Sequence, residues 1–313
     1  IPALALFLSA AAQADDSPLW MRYCAISPDG QTIAFSYQGD IYTVPSSGGK
    51  ARQLTTHPAH DTRPVWSPDG QRIAFASNRS GNFDIFLMNK EGGEPKRLTT
   101  HSTNEYPTTF KDNGHILYLA NVLQDAKDIQ FPGTRFMQVY EISTDGGRPD
   151  LYSSLYMENI ALSKDGSKLL YNDYKGYEDP WRKHHQSSIT RDIWLCTLGK
   201  DRSFQKVTTF GGEDRNPVWA ADGASFYYLS EEKGSFNIFK KDLAGNSEKQ
   251  ITTHTTHPVR FLTSDNTGTL CYSYDGEIYT VKEGQKPAKV NIQIVADKIE
   301  NDVIHRCLLY TSD

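Results

Sequence analysis

The chain lacks the motifs that announce a reactive centre. It has no G-x-S-x-G elbow, no HExxH, no P-loop, no G-x-G-x-x-G and no Asp-rich calcium loop. Nothing sets a nucleophile on a strained turn beside a base, so no catalytic residue is assigned. Cysteine is scarce: Cys24, Cys196, Cys271 and Cys307 are the only four, and none forms a CxxC pair. A metal or redox site is therefore not indicated, and no cofactor is expected. The first three lie in apolar, strand-like runs and read as small buried hydrophobes. Charge of one sign is not in excess either. The 33 Lys and Arg and 38 Asp and Glu are mixed along the chain, for a net charge of −5. A nucleic-acid binder usually shows a basic stripe, which is missing, so that class of partner is excluded.

Long apolar runs are also lacking. The longest, Ile1 to Leu8, falls well short of the roughly 20 residues that span a bilayer. It is followed by small residues and Ala12-Gln13-Ala14. That order matches the apolar region and A-x-A site of a secretory signal without its basic start. Residues 1–14 are accordingly read as a signal peptide cleaved after Ala14, and a periplasmic or secreted location is expected. No Cys follows the cleavage site, which argues against a lipid anchor there.

What is abundant is aromatic: 17 Tyr, 14 Phe and 5 Trp, a composition that favours strands. These residues recur in a repeated sentence, "RPVWSPDGQRIAFASNRSGNFDIFLM" from Arg63, with close variants from Arg22 and Arg215. The turn glycines Gly30, Gly70, Gly114, Gly166, Gly223 and Gly268 mark the period, with steps of 40, 44, 52, 57 and 45 residues. Such a period means a propeller or a solenoid. Each unit reads as four short strands. A first strand ends at the SPDG-like turn, and an alternating second follows ("RIAFAS", "KLLYND"). A third ("DIFLM", "DIWLC") leads through Gly-Gly to a short fourth ("PKRLTT", "EKQITT"). In the turn, Pro68 presets φ, Asp69 bonds locally and Gly70 supplies φ > 0. The fold expected is all-β, a six-bladed propeller of four antiparallel strands per blade over residues 20–292. Residues 293–313 break the pattern and read as the start of a linker, the last of them foreign to the repeat.

Strand parity then divides the faces. The SPDG and Gly-Gly turns share one face. The loops between second and third strands, and the links between blades, share the other. Two of those loops are long, Asn121 to Gln138 and Tyr174 to Arg191. Binding residues favour loops on a rigid scaffold. The candidates at the channel mouth are therefore His57, His60, Arg63, His101, Glu105, Asp214, Arg215 and His257 from the links, with Tyr177, Trp181, Arg182 and His184 from the second long loop. Arg63 and Arg215 suit a carboxylate, either a ligand's or that of a neighbouring acid. The LTTH histidines are expected to bridge strand ends within a blade. Asp61 and Asp214 are expected to hold backbone at strand entry, and Trp66 and Trp219 to be core. His184 and His185 point opposite ways on an extended chain, which argues against a joint metal site.

The "SPDG…IAF…DIY" blade resembles the TolB and WD40-like PD40 propellers. The combination "PLWMRYCAISPDGQTIAFSYQGDIYTVP", "KGYEDPWRKHHQSSITRDIWL" and "DGEIYTVKEG" resembles the N-terminal propeller of secreted bacterial tricorn-type proteases of the S41 peptidase class. The resemblance implies a fragment of a larger exported serine peptidase. In such a protein the propeller admits or sorts peptide or unfolded protein, and PDZ and protease domains follow downstream. It also implies a possible homo-oligomer of the full-length protein. Two other readings stay open at this point. One is a stand-alone TolB-like periplasmic interaction module. The other is the propeller of a prolyl-oligopeptidase-class peptidase, which would require a downstream G-x-S-x-G.

Overall fold

The computed structural model describes residues 18–122, 137–176, 186–245 and 247–295, and they contain no helix. The first sheet holds β1 (Arg22–Ile26), β2 (Thr32–Tyr37), β3 (Asp40–Pro45) and β5 (Arg52–Gln53), with the two-residue β4 (Gly49–Lys50) before its last strand. The second holds β6 (Asp61–Trp66), β7 (Arg72–Ser77), β8 (Asp84–Asn89) and β9 (Gly92–Arg97). The third holds β10 (Glu105–Asp112), β11 (His115–Ala120), β12 (Gln138–Ser143) and β13 (Asp150–Ser153). The fourth holds β14 (Met157–Leu162), β15 (Lys168–Asp173), β16 (Ile193–Thr197) and β17 (Ser203–Lys206). The fifth holds β18 (Asp214–Trp219), β19 (Ser225–Ser230), β20 (Asn237–Asp242) and β21 (Glu248–Gln250). The sixth holds β22 (Arg260–Ser264), β23 (Thr269–Tyr274), β24 (Glu277–Lys282) and β25 (Ala288–Lys289). Every pairing within these sheets is antiparallel, so the protein is a six-bladed β-propeller. The first strand of each blade touches the first strand of the next, from β1 round to β22 and back to β1. Those six strands therefore line the axis.

The core is a ring of layers, one between each pair of blades. Ala34 and Ile41 of the first blade meet Ile73, Phe75 and Phe86 of the second. Ala74 and Ile85, on the opposite face of that second sheet, meet Ile116 and Tyr118 of the third. Successive strand residues point to opposite faces, and both faces are buried. This is why "IAFA" reads as a continuous apolar run. The Ser-x-Asp-Gly turns of the first, second and fourth blades repeat one chemistry. Asp69 accepts from the Ser67 hydroxyl at 2.5 Å and from the Gln71 amide at 3.0 Å. Gly70 has φ +66°, and its amide donates to the Ser67 carbonyl at 2.8 Å. The tryptophans pack against the apolar layers between blades and also staple neighbours: the Trp66 indole donates to the Ala25 carbonyl and the Trp219 indole to the Ala161 carbonyl, each at 2.9 Å.

The ring closes without strand exchange. After the sixth blade, β26 (Ile292–Gln293) runs parallel to β4 of the first. The Gly49 and Ala51 amides donate to the Asn291 and Gln293 carbonyls at 2.8 Å. Val290 and Ile292 complete the apolar layer between the sixth and first blades. At Gly48, with φ +89°, a Cβ would lie 2.7 Å from the Asn291 carbonyl oxygen. Gly48→Ala should therefore cost about 1–3 kcal/mol. Gly81→Ala is the control: its φ is +114° but no atom lies within 4 Å of the added Cβ, so it carries the backbone cost alone. Thermal melts should show the larger fall in Tm for Gly48→Ala; equal falls would mean that the closure contributes nothing.

Candidate functional site: the channel wall and its loop-bearing face

The six axial strands are not regular. In the first, second, fourth, fifth and sixth blades the register against the neighbouring strand slips by one residue at a β-bulge. The slip falls at Tyr23, Arg63, Asn159, Asn216 and Phe261, all left-handed, with φ between 48° and 56°. Non-glycine residues rarely adopt this region, and bulges serve to re-aim side chains. In the third blade the equivalent position is Pro107, whose ring forbids positive φ. The bulge there falls between Pro107 and Thr109 instead.

Side chains of adjacent blades satisfy the backbone that the bulges release. The Asn216 amide group donates to the Leu262 carbonyl at 2.9 Å, and its oxygen accepts from the Leu262 N–H at 3.1 Å. Thr263 Oγ1 accepts from the Ile26 N–H at 3.2 Å and Thr108 Oγ1 from the Ile160 N–H at 3.3 Å. Asn172 Oδ1 accepts from both Asn159 and Asn216. On the other arc the contacts are aromatic. The Phe261 and Tyr23 rings are 4.5 Å apart, and the Arg63 guanidinium lies 5.3 Å from Tyr23 and 4.1 Å from Tyr106. One arc of the wall is thus amide-lined, the other aromatic and cationic.

The candidates named from sequence fall into distinct places. Arg215 is buried, 3.4 Å from Glu213 and with its guanidinium 4.1 Å from the Phe236 ring centre. Glu213 also pairs with Arg191, which reaches Glu158 at 2.9 Å. This knot anchors the far end of the second long loop to the fourth and fifth blades. Tyr177, Trp181, Arg182 and His184 lie outside the described residues. His57 and His101 are exposed, and Nδ1 of each accepts an amide two residues on, from Ala59 at 3.0 Å and from Thr103 at 3.1 Å. His60 sets its ring edge-on to Phe83, and His257 lies 3.2 Å from Asp275.

The strand-end bridge expected of the LTTH histidines is made by the first threonine of that motif. Thr55, Thr99, Thr208 and Thr252 each accept the N–H of the isoleucine that opens the third-strand run of their blade, at 2.9–3.0 Å. Thr55 and Thr252 donate in turn to Asp40 and Asn237. The short hydroxyl reaches the neighbouring backbone directly, while the imidazoles of His57 and His101 bond their own following loop. The sequence signal was present in the paired "DI…LTT" spacing. The bulges left a fainter signal, the R-P and N-P steps at Arg63 and Asn216.

Three acids open axial strands at the same position and are fully buried: Asp61, Glu105 and Asp214. Asp61 is paired with Arg79 at 2.8 Å. Glu105 and Asp214 have no hydrogen bond of good geometry on either oxygen. Burial pushes Glu105 up to about 7, with the Asp84 charge adding to it and Thr99 opposing it. Burial pushes Asp214 up to about 7 as well, against the nearby hydroxyls of Ser230 and Thr208. Among the described residues no three His, Cys, Asp or Glu are grouped to hold a metal ion.

Residues 18–287 match the family described as the Tricorn protease N-terminal beta propeller domain, and the chain belongs to that family. It is 23% identical over 287 residues to a tricorn protease homolog of Saccharolobus solfataricus, covering 89% of this chain and 25% of the relative. It is 27% identical to dipeptidyl-peptidase 5 of Porphyromonas gingivalis over 72% of this chain and 40% of that protein. Among solved structures, the crystal structure of the tricorn protease superposes with a TM-score of 0.71 at 21% identity, over 87% of this chain and 26% of that one. TolB from Acinetobacter baumannii gives 0.62 at 13% identity, over 90% of this chain and 68% of that one. The chain thus spans about a quarter of the length of its tricorn relatives.

The raised carboxyls set a pH dependence. Their ordinary values are 3.8 for Asp214 and 4.5 for Glu105, so between about pH 4 and 7 the folded state holds protons that the unfolded chain has released. The contribution of these two groups to stability therefore falls as pH rises through that window, and the loss is complete above it. Asp214→Asn and Glu105→Gln should each flatten the slope. Relative to the parent, each variant should gain on the order of 1–3 kcal/mol between about pH 5 and about pH 8. Urea unfolding at the two pH values measures this, and an unchanged slope in both variants would refute it.

Proposed function

We propose that the chain is the non-catalytic, substrate-gating propeller of a larger exported serine peptidase of the tricorn type, in the S41 class. The reading rests on family membership together with one observation: the channel wall is lined by aromatic rings, amides and a guanidinium. Such a wall suits loose contact with unfolded peptide of varied sequence. Aromatic faces take apolar side chains, and amides take backbone groups. On this reading the protein is periplasmic or secreted, and residues 1–14 are its signal. Its partners are peptide or unfolded protein, the PDZ and protease domains of the longer protein, and further copies of that protein in an oligomer.

The test removes bulk from the wall where it touches no catalytic group. In the full-length protein, Tyr23→Ala combined with Phe261→Ala opens the aromatic arc. The product profile from a mixture of unfolded peptides, read by mass spectrometry, should shift toward bulkier sequences by about threefold or more in kcat/KM. Turnover of a dipeptide-sized chromogenic substrate should hold. An unchanged profile in a folded variant would exclude gating by this channel.

A further inference from the structure

Arg63 differs from four arginines that neighbour buried acids. Arg79, Arg97, Arg191 and Arg215 are each paired with an acid: Asp61, Asp84, Glu158 and Glu213. Among the described residues no carboxylate lies within ion-pairing distance of Arg63. Its guanidinium is held by tyrosine rings of the two flanking blades, 5.3 Å from Tyr23 and 4.1 Å from Tyr106. Contact with the axial strands of both neighbours fixes the group on the channel wall rather than between sheets. The bulge that aims it there has φ +56° at Arg63 itself, and Pro64 follows.

Rings stabilise a guanidinium through their negative faces, and they give its N–H groups no acceptor. The in-plane donors of Arg63 are therefore matched by neither ring, while the side chain is already ordered. A planar fork of this kind accepts a carboxylate through two parallel N–H···O bonds. Little rotamer entropy remains to be lost on binding. We infer that Arg63, clamped by Tyr23 and Tyr106, is a carboxylate-binding subsite in the channel. It takes the terminal or side-chain carboxylate of a passing peptide. That the ligand is a peptide rests on the proposed function; the carboxylate chemistry does not.

The experiment uses the full chain without any protease, so it stands or falls separately from gating. Calorimetric titrations compare acetyl-trialanine as the free acid, the same peptide as its C-terminal amide, and acetyl-Ala-Glu-Ala amide. The free acid, the glutamyl amide or both should bind at least about tenfold more tightly than the trialanine amide, and the pattern tells terminal from side-chain recognition. Arg63→Gln should abolish the difference and Arg63→Lys should retain part of it. Thermal melts establish that both variants are folded. Equal affinity for all three peptides, or a preference that survives Arg63→Gln, overturns the subsite.

Discussion

The axial bulge is the constraint on which the rest of the structure depends. A residue held at φ near +50° costs on the order of 1–3 kcal/mol and persists only where its surroundings over-determine it. Here the surroundings belong to the next blade. The slip in register leaves the Leu262 N–H and carbonyl without ladder partners, and the Asn216 side chain supplies both bonds. Thr263 does the same for Ile26 across the closing seam, where Cys24 also donates to the Phe261 carbonyl at 3.3 Å. An unsatisfied buried backbone group would cost more than either contact gains. The blades are thus fixed in rotation about the axis by polar bonds, while the apolar layers farther out supply most of the adhesion.

This division explains what could be read from sequence. Turn chemistry is local: Ser, Asp and Gly within four residues close the SPDG loop, so Gly70 and its equivalents marked the period. Alternating burial on both faces gave "IAFA" and "DIF", and with them the strand count. The left-handed residues were legible only faintly, in the R-P and N-P steps at Arg63 and Asn216, since nothing in the local sequence of Tyr23 or Phe261 asks for positive φ. Asparagine at positions 159 and 216 tolerates it, but the demand comes from the neighbouring blade. The β26–β4 pair was hidden for the same reason: it joins residues more than two hundred positions apart, through two-residue strands too short to carry a pattern.

Histidine misled where threonine carried the role. Both recur in LTTH, and a ring with two nitrogens draws attention as a bridge. Yet it is a threonine hydroxyl that joins the end of the last strand to the opening of the third. Thr252 shows the full arrangement, accepting from Ile238 and donating to Asn237 while the His254 N–H also reaches Asn237. The His254 side chain is then released to stack on Tyr274 at 3.8 Å.

The axial strands also show how one position acquires different electrostatics as the repeat turns. Asp61, Glu105 and Asp214 occupy equivalent sites, each shielded from water. The second blade meets the cost with Arg79, a cation that bonds the carboxylate and lies 4.6 Å from the Phe86 ring centre. Among the described residues the third and fifth blades bring no cation into bonding distance, and burial raises their acids to about 7, so that each holds its proton below that pH. Neutralising a buried carboxyl by a proton or by a guanidinium leaves the same zero net charge. The choice therefore has little effect on the field in the channel. What does set that field is the wall itself, where the fourth and fifth blades cancel Arg191 and Arg215 against Glu158 and Glu213. On the second blade, Arg63 meets the rings of Tyr23 and Tyr106 instead.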